Sequence, residues 1–173
     1  MAMHIIIDGY NLVRQSQELS RLDRVDMARG REALIEKLAA YRRLKPHRIT
    51  LVFDGAGAPA LSPARDWVKG ISVVFSRAGE TADTVIARMA RQERATAMVV
   101  TSDLALARSA EACGAAVIES TEFEGRMALA AAIEGNEPTE GEMRRRRVST
   151  RKKGAGRRLP KRLRQSRMKT AKL

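Results

Sequence analysis

The chain is poor in the residues on which much of enzyme chemistry depends. It has one cysteine, two histidines, one tryptophan, two tyrosines and three phenylalanines in 173 residues. A lone cysteine rules out an internal disulfide, and Cys113 lies among alanines with no histidine beside it, so a small buried thiol is expected there rather than a nucleophile. His4 opens an apolar run and His47 falls in a turn; the two are not at zinc-ligand spacing. Zinc chemistry and Ser-His-Asp hydrolysis are therefore poorly supported. Neither GxGxxG nor GxxxxGK[ST] occurs, which argues against dinucleotide and Walker-type phosphate sites. No stretch reaches the roughly 20 apolar residues of a membrane helix. The amino terminus opens on a charged strand rather than a secretory leader, so a cytoplasmic protein with no membrane partner is expected.

What the chain does have is a set of short apolar runs rich in Val and Ile: HIIID at 4–8, ITLVFD at 49–54, ISVVFS at 71–76, AMVVTSD at 97–103 and AAVIES at 115–120. Continuous runs with little polar alternation suit strands covered on both faces, as in a parallel sheet. Helical periodicity separates most of them, through Leu34, Leu38 and Tyr41, then Val85, Ile86, Met89 and Ala90, then a weaker Leu104, Ala107, Arg108 and Ala112, then Met127, Ala130, Ala131 and Ile133. Alternation of this kind predicts a doubly wound α/β domain. The exception is GAGAPALSPARDW at 55–67, whose Gly and Pro content predicts a loop rather than a crossover helix. At 44% hydrophobic residues, the length suffices for one domain with a proper core.

Charge divides the chain unequally. Residues 144–173 carry 15 Lys or Arg and no acid, leaving 18 basic against 20 acidic residues in 1–143. The globular part is thus close to neutral and the net +13 belongs to the tail. Such a run cannot bury enough apolar surface to offset its ordering entropy and self-repulsion, so disorder is expected when it is free. The expected organisation is a domain at 1–134, an acidic linker GNEPTEGEM at 135–143 and a basic tail at 144–173. The tail has no aromatic residue, which weakens both base stacking and membrane-surface binding. Phosphate contact remains, and Arg144, Arg145, Arg146, Arg147, Arg151, Lys152, Lys153, Arg157 and Arg158 are its nearest groups to the domain. Nucleic acid, bound with little sequence preference and steep salt dependence, is the expected partner.

Four acids stand just beyond the apolar runs or open the helix after one: Asp8, Asp54, Asp83 and Asp103. Each has an ordinary explanation. Asp8-Gly9 and Asp54-Gly55 are common turn dipeptides, Asp83 sits in a first helical turn that Thr81 is placed to cap, and Asp103 is placed to cap the helix from Leu104. Together they point to one edge, because the carboxyl ends of parallel strands share the crevice in which open α/β sheets bind ligands. Carboxylates gathered there repel one another unless a cation neutralises them. Oxygen-only ligands favour Mg²⁺ or Mn²⁺, and Mg²⁺ commonly shares its shell with phosphate. Phosphodiester hydrolysis is the chemistry that matches.

DGYN at 8–11, VFDG at 52–55, GETAD at 79–83 and VVTSD at 99–103 occur in the order and spacing of the NYN domains. Among these the chain most resembles the YacP-like group of the PIN-like ribonucleases, over residues 3 to about 130. The resemblance implies a three-layer α/β/α fold around a mostly parallel sheet of about five strands, and metal-dependent endoribonuclease activity on single-stranded RNA. By the same resemblance Asp8, Asp83 and Asp103 are the metal-binding carboxylates and Asp54 completes the acidic pocket. Asn11 matches the Asn of DGYN, where its amide would orient Asp8 or a water, or else serve the turn into the next helix. Glu80 matches an acidic position before the helix, where it would support the ligands or stay solvated, and Ser102 is a hydrogen-bonding neighbour of a carboxylate or phosphate or else a short side chain for close packing. Arg77, just after the third apolar run, is a phosphate contact at the crevice rim or a solvated charge. The basic tail is not required by these motifs; ribosome association is the expectation attached to it. The alternative is a non-catalytic RNA- or ribosome-binding protein that uses the domain as a docking platform.

Overall fold

Six strands form one sheet: β1 (His4–Asp8), β2 (Arg48–Phe53), β3 (Arg65–Val68), β4 (Ile71–Phe75), β5 (Ala97–Val100) and β6 (Ala116–Ile118). The computed structural model describes residues 2–57 and 64–136 of the chain. Along β1, Ile5 and Ile7 enter one apolar cluster and Ile6 the other. The same alternation divides Leu51 and Phe53 from Val52 on β2, and Val73 and Phe75 from Val74 on β4. Period-two alternation with both sides apolar is what a strand covered on both faces requires.

Helices supply the two covers. On the first face lie α1 (Gly9–Gln15), α2 (Gln17–Val25), α3 (Met27–Leu44) and, from the far end of the domain, α6 (Ser120–Asn136), contributing Leu12, Leu19, Leu34, Leu38, Phe123 and Met127. The second face is covered by α4 (Ala82–Glu93) and α5 (Leu104–Ala112), through Val85, Ile86, Ala90, Leu106 and Ala110. The result is the expected three-layer α/β/α domain with a mostly parallel sheet.

The strand order is β3-β4-β2-β1-β5-β6. All neighbouring pairs are parallel except β3 with β4. The chain builds outward from β1 through β2 to β4, then returns to the other side of β1 with β5. Crossovers that diverge from adjacent strands open a crevice at their carboxyl ends, and here that point lies between β1 and β5.

Three features depart from the sequence expectation. The segment after Asp54 is not loop throughout, because residues 65–67 belong to β3, an antiparallel edge strand joined to β4 by Lys69 and Gly70 at φ 52° and 80°. Two successive positive φ values make the tight turn that matches strand twist. Helices α1 and α2 precede the single helix expected there. Ser16 ends α1 and caps α2 through its hydroxyl, and Asp26 does the same between α2 and α3. Two expected apolar stripes are also displaced. In α5 the buried positions are Leu106 and Ala110 while Leu104 is 71% exposed, and in α6 Phe123, Met127 and Ala130 are buried while Ile133 is largely exposed. Cys113 is half-buried at the end of α5 rather than fully enclosed.

α6 continues to Asn136, two residues into the segment expected as linker, and residues 1–136 form one compact unit. The rest of that linker and the basic tail, Arg144 to Arg158 included, lie outside the described residues. Among the described residues no helix is long and apolar enough to cross a membrane.

Candidate active site

Each of the four acids holds a structural position of its own. Asp8 ends β1 and caps α1, its Oδ1 accepting from the Asn11 N–H at 3.3 Å. Asp54 follows β2 and accepts from the Ala56 N–H at 3.1 Å. Asp103 caps α5 through the Leu106 N–H at 2.9 Å, and its own N–H is held by the Thr101 hydroxyl at 3.1 Å. Asp83 lies in the first turn of α4, which Thr81 caps by accepting from the Thr84 N–H at 3.2 Å. The capping explanations are thus correct and do not compete with a site. One oxygen of Asp8, Asp54 and Asp103 serves the backbone, and a carboxylate has a second.

All four line one cleft of about 540 Å³, together with Tyr10, Asn11, Arg14, Met27, Ala56, Thr81 and Ala82. Four carboxylates face a single guanidinium, that of Arg14. Burial pushes the Asp8 carboxyl up to about 6, and the charges of Asp83 and Asp103 add to the effect, against the Asn11 N–H and Arg14, which oppose it. Asp83 is raised as well, by burial and then by Asp103 and Asp54. Burial is the larger common cause, and repulsion among the carboxylates adds to it.

Two glycines let the backbone carry these acids where it does. A Cβ on Gly9 would stand 2.3 Å from the Phe53 ring, and one on Gly55 would stand 2.0 Å from the Ser76 carbonyl oxygen. Neither glycine has a positive φ. The two Asp-Gly pairs are therefore explained by close packing of the strand ends, not by a turn conformation.

Asn11 has a task beyond those expected of it. Its side-chain oxygen accepts from the Ser102 N–H at 2.9 Å and from the Ser120 hydroxyl at 2.7 Å. Ser102 in turn uses its hydroxyl oxygen to accept from the Ser120 N–H at 3.2 Å. The Ser102 hydroxyl oxygen thus serves a backbone bond. The triangle ties α1 to the β5–α5 loop and to the start of α6, and it fixes the spacing between the Asp8 and Asp103 caps.

Glu80 and Arg77 do not line this cleft. Glu80 pairs with Arg88, a contact that holds its carboxyl below the usual range, and both residues line a neighbouring cleft. Sequence reasoning missed Tyr10, Arg14 and Met27. Tyr10 packs on Phe53 at 4.9 Å between ring centroids, its hydroxyl accepts from Arg31 at 3.1 Å, and Arg14 lies over its ring at 5.9 Å. Tyr10 stood in view inside DGYN; Arg14 and Met27 have no sequence signal that would single them out.

The donor set is oxygen alone, which suits a hard cation. Among the described residues no three His, Cys, Asp or Glu side chains converge tightly enough to hold an ion between them directly. An ion held here would therefore have to keep part of its water shell, as Mg²⁺ does.

A three-layer domain with an acidic crevice at the carboxyl edge of a mostly parallel sheet is of the PIN-like class, a fold typical of nucleases that generally use divalent metals. More narrowly, the chain belongs to the YacP-like NYN domain family, which it matches over residues 5–171. That span takes in the basic tail, which the sequence reading had set outside the family pattern. The chain is 29% identical over 87 residues to the uncharacterised protein YacP of Bacillus subtilis (strain 168), an alignment covering 50% of this chain and 51% of that protein. It thus spans about half the length of the curated relative it matches. The crystal structure of Rae1 (YacP) from Bacillus subtilis is similar over 86% of this chain and 82% of that one, with a TM-score of 0.65 at 25% identity. A single-substitution variant of that protein superposes with a TM-score of 0.64 at 25% identity, over 87% and 86% of the two chains. Membership of the PIN-like ribonuclease superfamily points to an RNA-related function.

Proposed function

We propose that the chain is a cytoplasmic, metal-dependent endoribonuclease that hydrolyses phosphodiester bonds in single-stranded RNA, with Mg²⁺ or Mn²⁺ as cofactor. The observation that carries this reading is the convergence of Asp8, Asp54, Asp83 and Asp103 on one cleft. A pocket of that charge repels phosphate, so a docking platform for RNA gains nothing from it. Asp8, Asp83 and Asp103 would hold the ion in part through its own waters, and Asp54 would flank it. When bound, the ion would supply Lewis acidity toward a phosphate oxygen and lower the pKa of a water.

The chain's own groups set the geometry. Asn11 holds the Asp8 and Asp103 caps at a constant separation, which matters because reaction rates depend steeply on placement. Arg14 is the only cation lining the cleft among the described residues, and its guanidinium is the group available to a phosphate oxygen of the substrate. The tail, at 15 positive charges without an acid, raises the local concentration of RNA or of a ribosomal surface around the domain. The preference for RNA over DNA rests on family membership.

The test is cleavage of end-labelled single-stranded RNA by the full chain with Mn²⁺ or Mg²⁺, run beside EDTA and an Asp8→Asn, Asp83→Asn variant shown to be folded. Metal-dependent cutting that the variant lacks is the expected result. Equal background cutting in both proteins would replace this reading with the docking platform. Co-sedimentation with ribosomes that survives both tail deletion and raised salt would remove the role given to the tail.

A further inference from the structure

A second cleft of about 590 Å³ lies between the β3–β4 edge of the sheet and α4. Its floor is apolar, made by Val74, Phe75, Val85 and Met89, and Arg65, Arg77 and Arg88 stand around it with Glu80 as the one acid. Arg88 is neutralised by Glu80, whereas neither Arg65 nor Arg77 makes a salt bridge among the described residues. Three arginines against one carboxylate leave this cleft at +2. The acidic cleft, with four carboxylates and Arg14, stands at −3. The two share a wall: Glu80 lines the positive cleft and the next residue, Thr81, lines the acidic one.

On β3, Trp67 shares a strand face with Arg65, because side chains alternate and Val68 packs toward the opposite core. Trp67 is 61% exposed. A large aromatic left in water beside an apolar floor and two arginines without salt bridges offers bases a stacking surface and their phosphates cations.

We infer that this cleft, with Trp67 at its edge, is a docking groove for the single-stranded RNA segment that flanks the phosphodiester in the acidic cleft. The inference rests on the proposed nuclease reading for its direction, since it is the polarity change across the Glu80–Thr81 wall that places flanking phosphates on arginines and the reacting one among carboxylates. Bases inside a duplex are already stacked and cannot reach Trp67, so the groove selects single strands.

The chain has one tryptophan, so indole emission reports on this groove alone, whereas the anisotropy of a labelled oligonucleotide also counts RNA held by the tail. The full chain is titrated in EDTA with a uridine decanucleotide, and both signals are followed at several salt concentrations. Saturable quenching of Trp67 is expected. An Arg65→Ala, Arg77→Ala variant is expected to weaken the quenching and to lower its log–log salt slope by about 1.4, at ~0.7 per phosphate contact on a single strand. Anisotropy that saturates while Trp67 emission stays constant would overturn the groove, as would quenching unaffected by the double variant, or equal quenching by duplex RNA or polyglutamate. Failure of the two readings is distinguishable: quenching without metal-dependent cleavage leaves the groove and removes the nuclease, and cleavage without quenching does the reverse.

Discussion

Replacing Asp8 with Asn is expected to make the metal-free protein more stable while abolishing its activity. The Asp8 carboxyl titrates at about 6 in the folded chain against 3.8 for a free aspartate. The folded state therefore binds this proton more tightly than the unfolded state does, and between these values stability falls as pH rises. Above the window the cost is complete, about 3 kcal/mol at ~1.36 kcal/mol per pH unit. Asparagine removes the charge and keeps the cap, since it is as good an N-cap as aspartate and can still accept from the Asn11 N–H. Subtracting ~0.3–1 kcal/mol for the lost attraction between carboxylate and helix dipole leaves a gain of about 2 kcal/mol. Urea unfolding of both proteins in EDTA at about pH 8 measures it, and the gain shrinks as pH falls, to about 0.5 kcal/mol or less at about pH 4, because it disappears only below both values. Taking the difference between variants cancels His4, which burial and then Arg48 hold below its usual range. Adding Mg²⁺ or Mn²⁺ reverses the order, because a ligand at a hundred times its dissociation constant stabilises the wild type by about 2.7 kcal/mol. A variant less stable than wild type in EDTA at the higher pH, or a gain equal at both, would refute the account of a charge strained by burial and by its neighbours.

Other consequences can be checked directly. Asn11→Ala leaves the Ser102 N–H and the fully buried Ser120 hydroxyl without their acceptor; a loss of about 2–4 kcal/mol is expected in urea unfolding, with kcat falling in the fraction that stays folded. Gly9→Ala drives a methyl group to 2.3 Å from the Phe53 ring, and about 1–3 kcal/mol of overpacking strain should lower Tm; an unchanged Tm would mean that the close approach of β1 and β2 at the cleft is not as described. Deleting residues 144–173 is expected to remove most of the salt dependence of RNA binding, which for six to ten phosphate contacts amounts to about three to five decades over a fourfold change in salt. A log–log slope that survives the deletion would assign binding to the domain.

Much of the sheet is legible in the sequence. β1, β2, β4 and β5 are covered on both faces, and continuous burial writes itself as an unbroken run of Val and Ile. β3 was not legible, because three of its four residues are exposed and it exists as a strand only through pairing with β4 across the Lys69-Gly70 turn. α1 and α2 were missed for a related reason: α2 buries only Leu19, too little to make a period, and its ends are set by caps at Ser16 and Asp26. Leu104 misled because apolar character at helical spacing does not say which side of a helix meets the sheet, and Leu106 is the residue that does.

The same division runs through the site. The sequence alone determined that Asp8, Asp54, Asp83 and Asp103 stand at strand ends and helix starts, since those positions follow from local burial and capping. It also determined the separation of a near-neutral domain from a cationic tail, which is a matter of composition. Only the tertiary structure decided that Tyr10, Arg14 and Met27 join the acidic cleft, that Glu80 and Arg77 turn away into another, and that Asn11 is spent on Ser102 and Ser120. Those outcomes depend on contacts between segments up to 109 residues apart, and a distance of that kind is set by how the helices close over the sheet rather than by any pattern within one of them.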